Sequence, residues 1–366
     1  MSGRRHIVFV TSSLAGGGAE RVLLTMAEYW AGVGHGVTIV VLRPRSPGEY
    51  HVPRDVQLER LVLIDETNPV SDWRHLGRLI RLRKKLRTLA PDLVIPFIDK
   101  LNTAVLIALC GSGIPVIATE HLAPWMNPLG AVWETLRRLS YPTARVVVSP
   151  TPAITRWFVT HCRGRFETLP YPAHLYSASR AIGVRDRRII AVGRLAHQKG
   201  FDLLIAAFSD LAEDHPDWYV EIAGEGPARP SLELMIRERG LCGRVRLLGQ
   251  IADLRALYSG AEIFVLPSRH EAYPMVLCEA LSAGCCVVAA DCPTGPREIL
   301  SDPSAGVLIP VDDVPALAQA LRRLMTPSRE RERMREAAVS LATRLGPQSV
   351  MQQWDVALER WTSQRP

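Results

Sequence analysis

Short β-branched runs alternate with helical patterns along the whole chain, and they do so in two successive series. The first series of expected strands is His6 to Ser12, Val37 to Leu42, Leu58 to Leu63, Leu93 to Ile98, Pro115 to Thr119 and Arg145 to Ser149. The second is Arg188 to Gly193, Trp218 to Ala223, Val245 to Leu248, Ile263 to Leu266, Cys286 to Ala290 and Gly306 to Ile309. Strands joined by helical crossovers must lie parallel, and a parallel sheet buries both faces under helices. The pattern therefore predicts an α/β protein with two Rossmann-like domains, each a parallel sheet flanked by helices, facing each other across a cleft. A length of 366 residues is also more than one core usually absorbs.

Between the series lies Thr168-Leu-Pro-Tyr-Pro-Ala173, where two prolines favour extended chain over helix. The expected division is a first domain over 1–168, a second over 169–346, and a helix in 347–366 after Gly346-Pro347. That last segment carries Val350, Trp354, Ala357 and Trp361 at helical spacing, which allows it to pack back on the first domain or on the second.

Open parallel sheets place ligands beyond the carboxyl ends of their strands, so the chemistry belongs in post-strand loops. The first strand runs into Leu14-Ala-Gly-Gly-Gly-Ala-Glu-Arg21, a glycine loop entering a helix and suited to phosphate through bare backbone N–H groups. A tight turn without ligand is the competing reading. A dinucleotide fingerprint would need glycine at Arg21 and an acidic residue near Leu42 and Arg43, so hydride transfer is disfavoured.

After the strand ending at Gly193 comes Arg194-Leu-Ala-His-Gln-Lys-Gly200, whose Arg194 and Lys199 suit a diphosphate. After Leu266 comes Ser268-Arg-His-Glu-Ala-Tyr-Pro-Met-Val-Leu-Cys-Glu279. There Pro274 reads as the first helical residue, with Glu271 just before the helix and Glu279 inside it. Glu279 is a lone carboxylate among apolar neighbours and needs a partner, either ligand hydroxyls or protein donors.

Jointly these motifs resemble the retaining nucleotide-sugar glycosyltransferases of family 4, with the GT-B fold. The resemblance is carried by Glu20-Arg21 after the glycines, Val192-Gly-Arg-Leu-Ala-His-Gln-Lys-Gly200, Gly224-Glu-Gly-Pro227, and Glu271 with Glu279. Asp291-Cys-Pro-Thr-Gly-Pro-Arg-Glu-Ile-Leu300 is similar to the branch acting in bacterial surface-polysaccharide and polyprenyl-linked oligosaccharide synthesis. The resemblance implies a hexose or N-acetylhexosamine transferred with retention from a nucleotide diphosphate sugar, with uridine preferred, to a lipid-linked or oligosaccharide acceptor.

It further implies Arg194 and Lys199 on the diphosphate, Glu279 on the ribose, Glu271 on the sugar hydroxyls, and His121, in Ala118-Thr-Glu-His121, positioning the sugar. Gly17, Gly18, Gly224, Tyr273 and Met275 are implied as further nucleotide-sugar contacts. No metal or other cofactor is expected, and no Asp-x-Asp motif occurs. Where the family usually has glycine after the first glutamate, Ala272 stands here; a positive φ there would strain it. An epimerase of the same architecture and a non-catalytic nucleotide-sugar binder are the alternatives.

The net charge of +7 is concentrated. Trp73 to Ala90 carries Arg74, Arg78, Arg81, Arg83, Lys84, Lys85 and Arg87 and no acidic residue. Leu76, Ile80, Leu86 and Leu89 are its expected buried stripe, leaving a basic face for an anionic membrane surface, with an ordinary solvated face as the alternative. Trp125, Met126, Trp133, Arg137 and Arg138 are expected to extend it. Nucleic acid is disfavoured because aromatic residues do not interleave with the cations. No apolar run reaches the length of a spanning helix, and the first apolar run reads as a buried strand rather than a signal peptide. The seven cysteines form no metal-binding spacing and read as reduced thiols, consistent with a cytoplasmic protein, peripheral on the inner membrane.

Overall fold

The computed structural model describes residues 3–15, 17–63, 76–176, 186–251 and 253–363. The chain divides into two units, one formed by Met1–Ala173 with Pro347–Pro366, the other by His174–Gly346.

In the first unit the strands are β1 (His6–Thr11), β2 (Gly36–Val41), β3 (Gln57–Arg60), β4 (Leu93–Pro96), β5 (Ile117–Thr119), β6 (Val146–Ser149) and β7 (Phe166–Thr168). They pair in parallel as β3-β2-β1-β4 and β5-β6-β7, and parallel bridges Val94–Val116 and Phe97–Thr119 join the two sets. The apolar runs of β1, β4 and β6 are buried throughout or nearly so, as strands covered on both faces require. β7 is the strand the sequence pattern does not announce. Its residues Phe166-Glu-Thr168 are only partly buried, so no apolar run marks it.

In the second unit, β8 (Asp186–Val192), β9 (Tyr219–Ala223), β10 (Val245–Gly249), β11 (Ala261–Leu266), β12 (Cys286–Ala290) and β13 (Val307–Ile309) form one parallel sheet in the order β10-β9-β8-β11-β12-β13. The strand order reverses between β8 and β11. Crossovers from these two central strands leave in opposite directions, which opens a crevice at their carboxyl ends.

The boundary between units falls after Ala173 rather than at Thr168, because the proline-bearing segment is tied to the first unit. Leu169 N–H bonds Ser149 O at 3.1 Å, and the Tyr171 hydroxyl donates to Glu120 O at 2.8 Å. The helix Pro347–Ser363 packs on the same unit. Trp354 and Trp361 are fully buried, Trp354 Nε1 donates to Pro170 O at 2.9 Å, and Asp355 accepts from Tyr29 at 2.9 Å and Trp30 at 2.8 Å.

The basic helix spans Leu76–Thr88, and Trp73 and Arg74 lie outside the described residues. Its buried residues are Leu82 and Leu86; Leu76 and Ile80 are 70% and 58% exposed, so the expected stripe is corrected. Arg83 sets this rotation by donating to Ala108 O at 2.7 Å and Cys110 O at 2.8 Å, which caps the neighbouring helix Asp99–Leu109. Lys85 pairs with Glu59 at 3.1 Å. Arg81, Lys84 and Arg87 remain exposed beside the two apolar side chains. Trp133 and Arg137, expected on the same surface, are buried instead.

Candidate active site

The loops after β8 and β11 are built against each other. The chain leaves β8 through Gly193, Arg194 and the buried Leu195, makes a short turn at His197–Lys199, and enters the helix Phe201–Ser209 through Gly200. Gly200 adopts φ +64, and a Cβ there would lie 2.0 Å from Pro267 O, so only glycine allows this approach to the second loop. Gly224, with φ +144, sits under the same loop; a Cβ there would lie 1.8 Å from Gly193 O. That close packing gives Gly224 a structural reason to be glycine that needs no ligand.

Arg269 fastens the two loops together. Its backbone N–H donates to Gln198 O at 2.8 Å, and its guanidinium donates to His197 O at 2.7 Å. The same group grips both oxygens of Asp202 at 2.9 and 2.7 Å and reaches Asp312 at 2.7 Å. Burial opposes ionisation of Asp202, but the hydrogen bonds and charge of Arg269 hold its carboxyl below the ordinary value.

Lys199 and Glu271 meet across this junction, Nζ to Oε1 at 2.6 Å, and Ser268 Oγ donates to the same Oε1 at 2.7 Å. Glu271 is only 6% exposed, and among the described residues its Oε2 has no partner. One carboxylate oxygen is thus fixed by a cation and a hydroxyl, which leaves the other as an oriented acceptor. Arg194 lies exposed at the mouth of the loop and pairs with no carboxylate among the described residues. Ala272 does not have a positive φ, so alanine is unstrained there. The helix begins at Met275 with Pro274 as its cap, one residue later than the sequence suggests. Tyr273 and Met275 are both half-buried at this turn, and burial pushes the Tyr273 phenol well above its ordinary value.

Glu279, 1% exposed, accepts a hydrogen bond from Tyr258 at 3.0 Å. Its burial is therefore met within the protein, and a ribose diol is not required to explain it. Tyr258, Arg269 and Ser268 are the site residues that sequence reasoning missed. The latter two stand inside the motif around Glu271, but nothing in their spacing says that they serve Glu271 and Lys199.

In the first unit, Gly17 caps the helix Gly18–Gly32, and Gly16 lies outside the described residues. The Glu20 carboxylate folds back over Gly17, where its Oε2 would be 2.0 Å from a Cβ, and burial raises its pKa. The helix N-terminus thus already carries a carboxylate of its own. His121 follows β5, stacked between Phe97 and Tyr171 with centroids 4.6 and 4.4 Å away. Burial pulls its pKa down to about 3, so the imidazole is neutral. Beside it the Glu120 carboxyl is fully buried and accepts from Tyr141 and, at 3.3 Å, from Asn102. Burial raises its pKa to about 7 although Arg137, also buried, opposes the shift. Backbone strain sits next to this cluster at Ile98, a β-branched residue with φ 77.

Two family models match the chain: Glycosyltransferase Family 4 over residues 16–175 and Glycosyl transferases group 1 over residues 175–340. An exopolysaccharide phosphotransferase of Streptomyces coelicolor is 29% identical over 95% of this chain, which spans only 40% of that relative's length. A Campylobacter jejuni protein named as a GalNAc-alpha-(1->4)-GalNAc-alpha-(1->3)-diNAcBac-PP-undecaprenol alpha-1,4-N-acetyl-D-galactosaminyltransferase is 28% identical, covering 87% of this chain and 88% of its own. Among solved structures, Anabaena HepE in complex with UDP superposes with a TM-score of 0.81 at 20% identity, covering 97% of this chain and all of that one. With each unit matched by its own model and with the fold shared, the chain belongs to the family 4 glycosyltransferases of GT-B fold.

Proposed function

We propose that this protein is a retaining glycosyltransferase that moves a hexose or N-acetylhexosamine from a uridine diphosphate sugar to a polyprenyl-diphosphate-linked oligosaccharide in surface-polysaccharide synthesis. The observation that carries this reading is the Glu271 carboxylate, anchored on one oxygen by Lys199 and Ser268 and open on the other, with Arg194 exposed at the preceding loop. A sugar hydroxyl is the ligand that an oriented buried acceptor suits, and a diphosphate is the ligand for the two cations beside it.

In this reading, departure of the nucleoside diphosphate builds charge on the β-phosphate, and Arg194 and Lys199 stabilise it. Positive side chains in that role remove the need for a metal. Glu279 lies on the ribose and His121 positions the sugar. The uridine preference is supported by the UDP held in the Anabaena neighbour, and the lipid-linked acceptor by the name of the Campylobacter relative.

The exposed Leu76 and Ile80 beside Arg81, Lys84 and Arg87 support peripheral attachment to the cytoplasmic face of an anionic membrane. Among the described residues no helix is long and apolar enough to cross one.

The test is a thermal-shift screen of UDP-, GDP- and ADP-sugars, followed by transfer to polyprenyl-diphosphate acceptors. A UDP-sugar should raise the melting temperature, and UDP release should depend on the acceptor. Turnover of the sugar nucleotide without any acceptor would replace this reading with an epimerase, and binding without turnover would replace it with a sensor.

A further inference from the structure

Six aromatic side chains of the first unit close into a ring of contacts that passes through His121. Phe9 meets Phe97 at a centroid distance of 5.8 Å, and Phe97 meets His121 at 4.6 Å. His121 meets Tyr171 at 4.4 Å, and Tyr171 meets Trp354 at 6.0 Å. Trp354 meets Trp30 at 6.3 Å, and Trp30 returns to Phe9 at 5.8 Å. The imidazole is nearly parallel to both of its neighbours, at 26° to Phe97 and 20° to Tyr171. Such a sandwich leaves the ring only rotation in its own plane.

That last freedom is removed by hydrogen bonding. Thr119 Oγ1 donates its single proton to Pro96 O at 2.7 Å, so toward His121 Nε2, 3.1 Å away, it can only accept. Nε2 therefore carries the proton. Nδ1 is then a bare acceptor: the ring's hydrogen bond among the described residues is made through Nε2. Tyr171 fixes the backbone as well as the ring, since its single hydroxyl proton is shared between Glu120 O at 2.8 Å and Val148 O at 3.2 Å. Trp354 holds the residue before Tyr171 by donating to Pro170 O at 2.9 Å. The chain leaves the first unit just after Tyr171 and returns to it at Pro347, just before Trp354. Both connecting segments therefore end on the support of one histidine.

We propose that Tyr171 and Trp354 are positioning residues for His121, holding its imidazole as the Nε2–H tautomer so that Nδ1 accepts a hydrogen bond from a hydroxyl of the transferred sugar. This rests on the glycosyl-transfer reading only for the identity of the hydroxyl; the tautomer and its support are properties of the free protein.

The test uses the full-length protein labelled with 15N-histidine, with His121→Asn identifying the resonance. In the wild type, His121 is expected to show a neutral Nε2–H ring that does not titrate between pH 8 and 5. Tyr171→Leu and Trp354→Leu should each mix the tautomers or bring the titration above pH 5, and Tyr171→Phe, which keeps the stack, should restore the wild-type signal. With a UDP-sugar and a polyprenyl-diphosphate acceptor, the two leucine variants should lose at least tenfold in kcat with the donor KM within twofold of wild type. An Nδ1–H tautomer in the wild type, titration near 6.5, or leucine variants with unchanged resonances would overturn the proposal. If a leucine variant does not fold, the wild-type tautomer and Trp354→Phe, expected to keep it, decide the matter. Absence of any sugar transfer by the wild type would sink the functional reading while the spectroscopic result still judged the positioning.

Discussion

Replacing Lys199 with methionine removes a charge while keeping most of the apolar stem. At 2.6 Å the attraction between Lys199 and Glu271 is about 6 kcal/mol at an effective dielectric of about 20. Most of that gross attraction is offset by the cost of holding both ions out of water. What the substitution exposes is the remainder: a carboxylate 6% exposed, left with Ser268 as its described partner. Breaking a buried pair by deleting one member costs about 3–5 kcal/mol, and because the Lys199 side chain is partly open to water, the lower figure of about 2–3 kcal/mol is expected. Glu271→Gln keeps the shape and removes the charge, so the double variant should recover at least 1 kcal/mol relative to Lys199→Met alone. Urea unfolding at pH 7 measures all three. Transfer should also fall by about 10²–10³, the usual effect of removing one donor to a developing oxyanion. A Lys199→Met protein as stable as wild type within about 0.5 kcal/mol, or a double variant no more stable than the single one, would refute the pairing argument.

Glu120 gives a pH signature. Its carboxyl is raised from the ordinary 4.5 to about 7 in the folded protein, so the folded state binds the extra proton between those values. Its contribution is fully present below pH 4.5 and is lost as pH rises through 7, by about 1.4 kcal/mol per unit and roughly 3 kcal/mol in all. Glu120→Gln should therefore gain stability relative to wild type from about pH 4.5 to 7 and level off above that, and a pH-independent difference in denaturant midpoint would contradict this. Tyr258→Phe removes one donor to Glu279 and should cost about 1–3 kcal/mol of stability in thermal or urea unfolding. Gly224→Ala cannot keep φ +144 or clear Gly193 O, so it should destabilise by at least about 2 kcal/mol and weaken UDP-sugar binding measured by calorimetry. The triple change of Arg81, Lys84 and Arg87 to glutamine should lower sedimentation with phosphatidylglycerol vesicles by about two orders of magnitude, at about 1 kcal/mol per cation.

The expected strands that are buried throughout, β4, β6, β11 and β12, recur in the structure because a strand buried on both faces needs a continuous apolar run, and that need is written locally. β3, expected over Leu58 to Leu63, forms instead at the half-exposed Gln57–Arg60. β7 escaped because it is only three residues long and carries Glu167 and Thr168, so no apolar run marks it. The expected stripe of the basic helix failed for a related reason. Helical spacing allows several buried faces, and Arg83 chose among them by reaching the carbonyls of Ala108 and Cys110, residues far along the chain.

The positions of Arg194, Lys199, Glu271 and Glu279 were legible by themselves, because a post-strand loop and a charge amid apolar residues are local features. Chain order alone also implied two parallel sheets, since crossover helices permit no other pairing. What each charged group touches was decided only in three dimensions. Lys199 meets Glu271 because Gly200 lets one loop lie on another, and Glu279 is satisfied by Tyr258 from a different helix. The His121 tautomer depends on a Thr119 proton committed to Pro96 and on a ring closed by Trp354, more than two hundred residues away in sequence. Spacing along a chain records which groups are present, but partners and protons are assigned by distances that exist only once the sheet has formed.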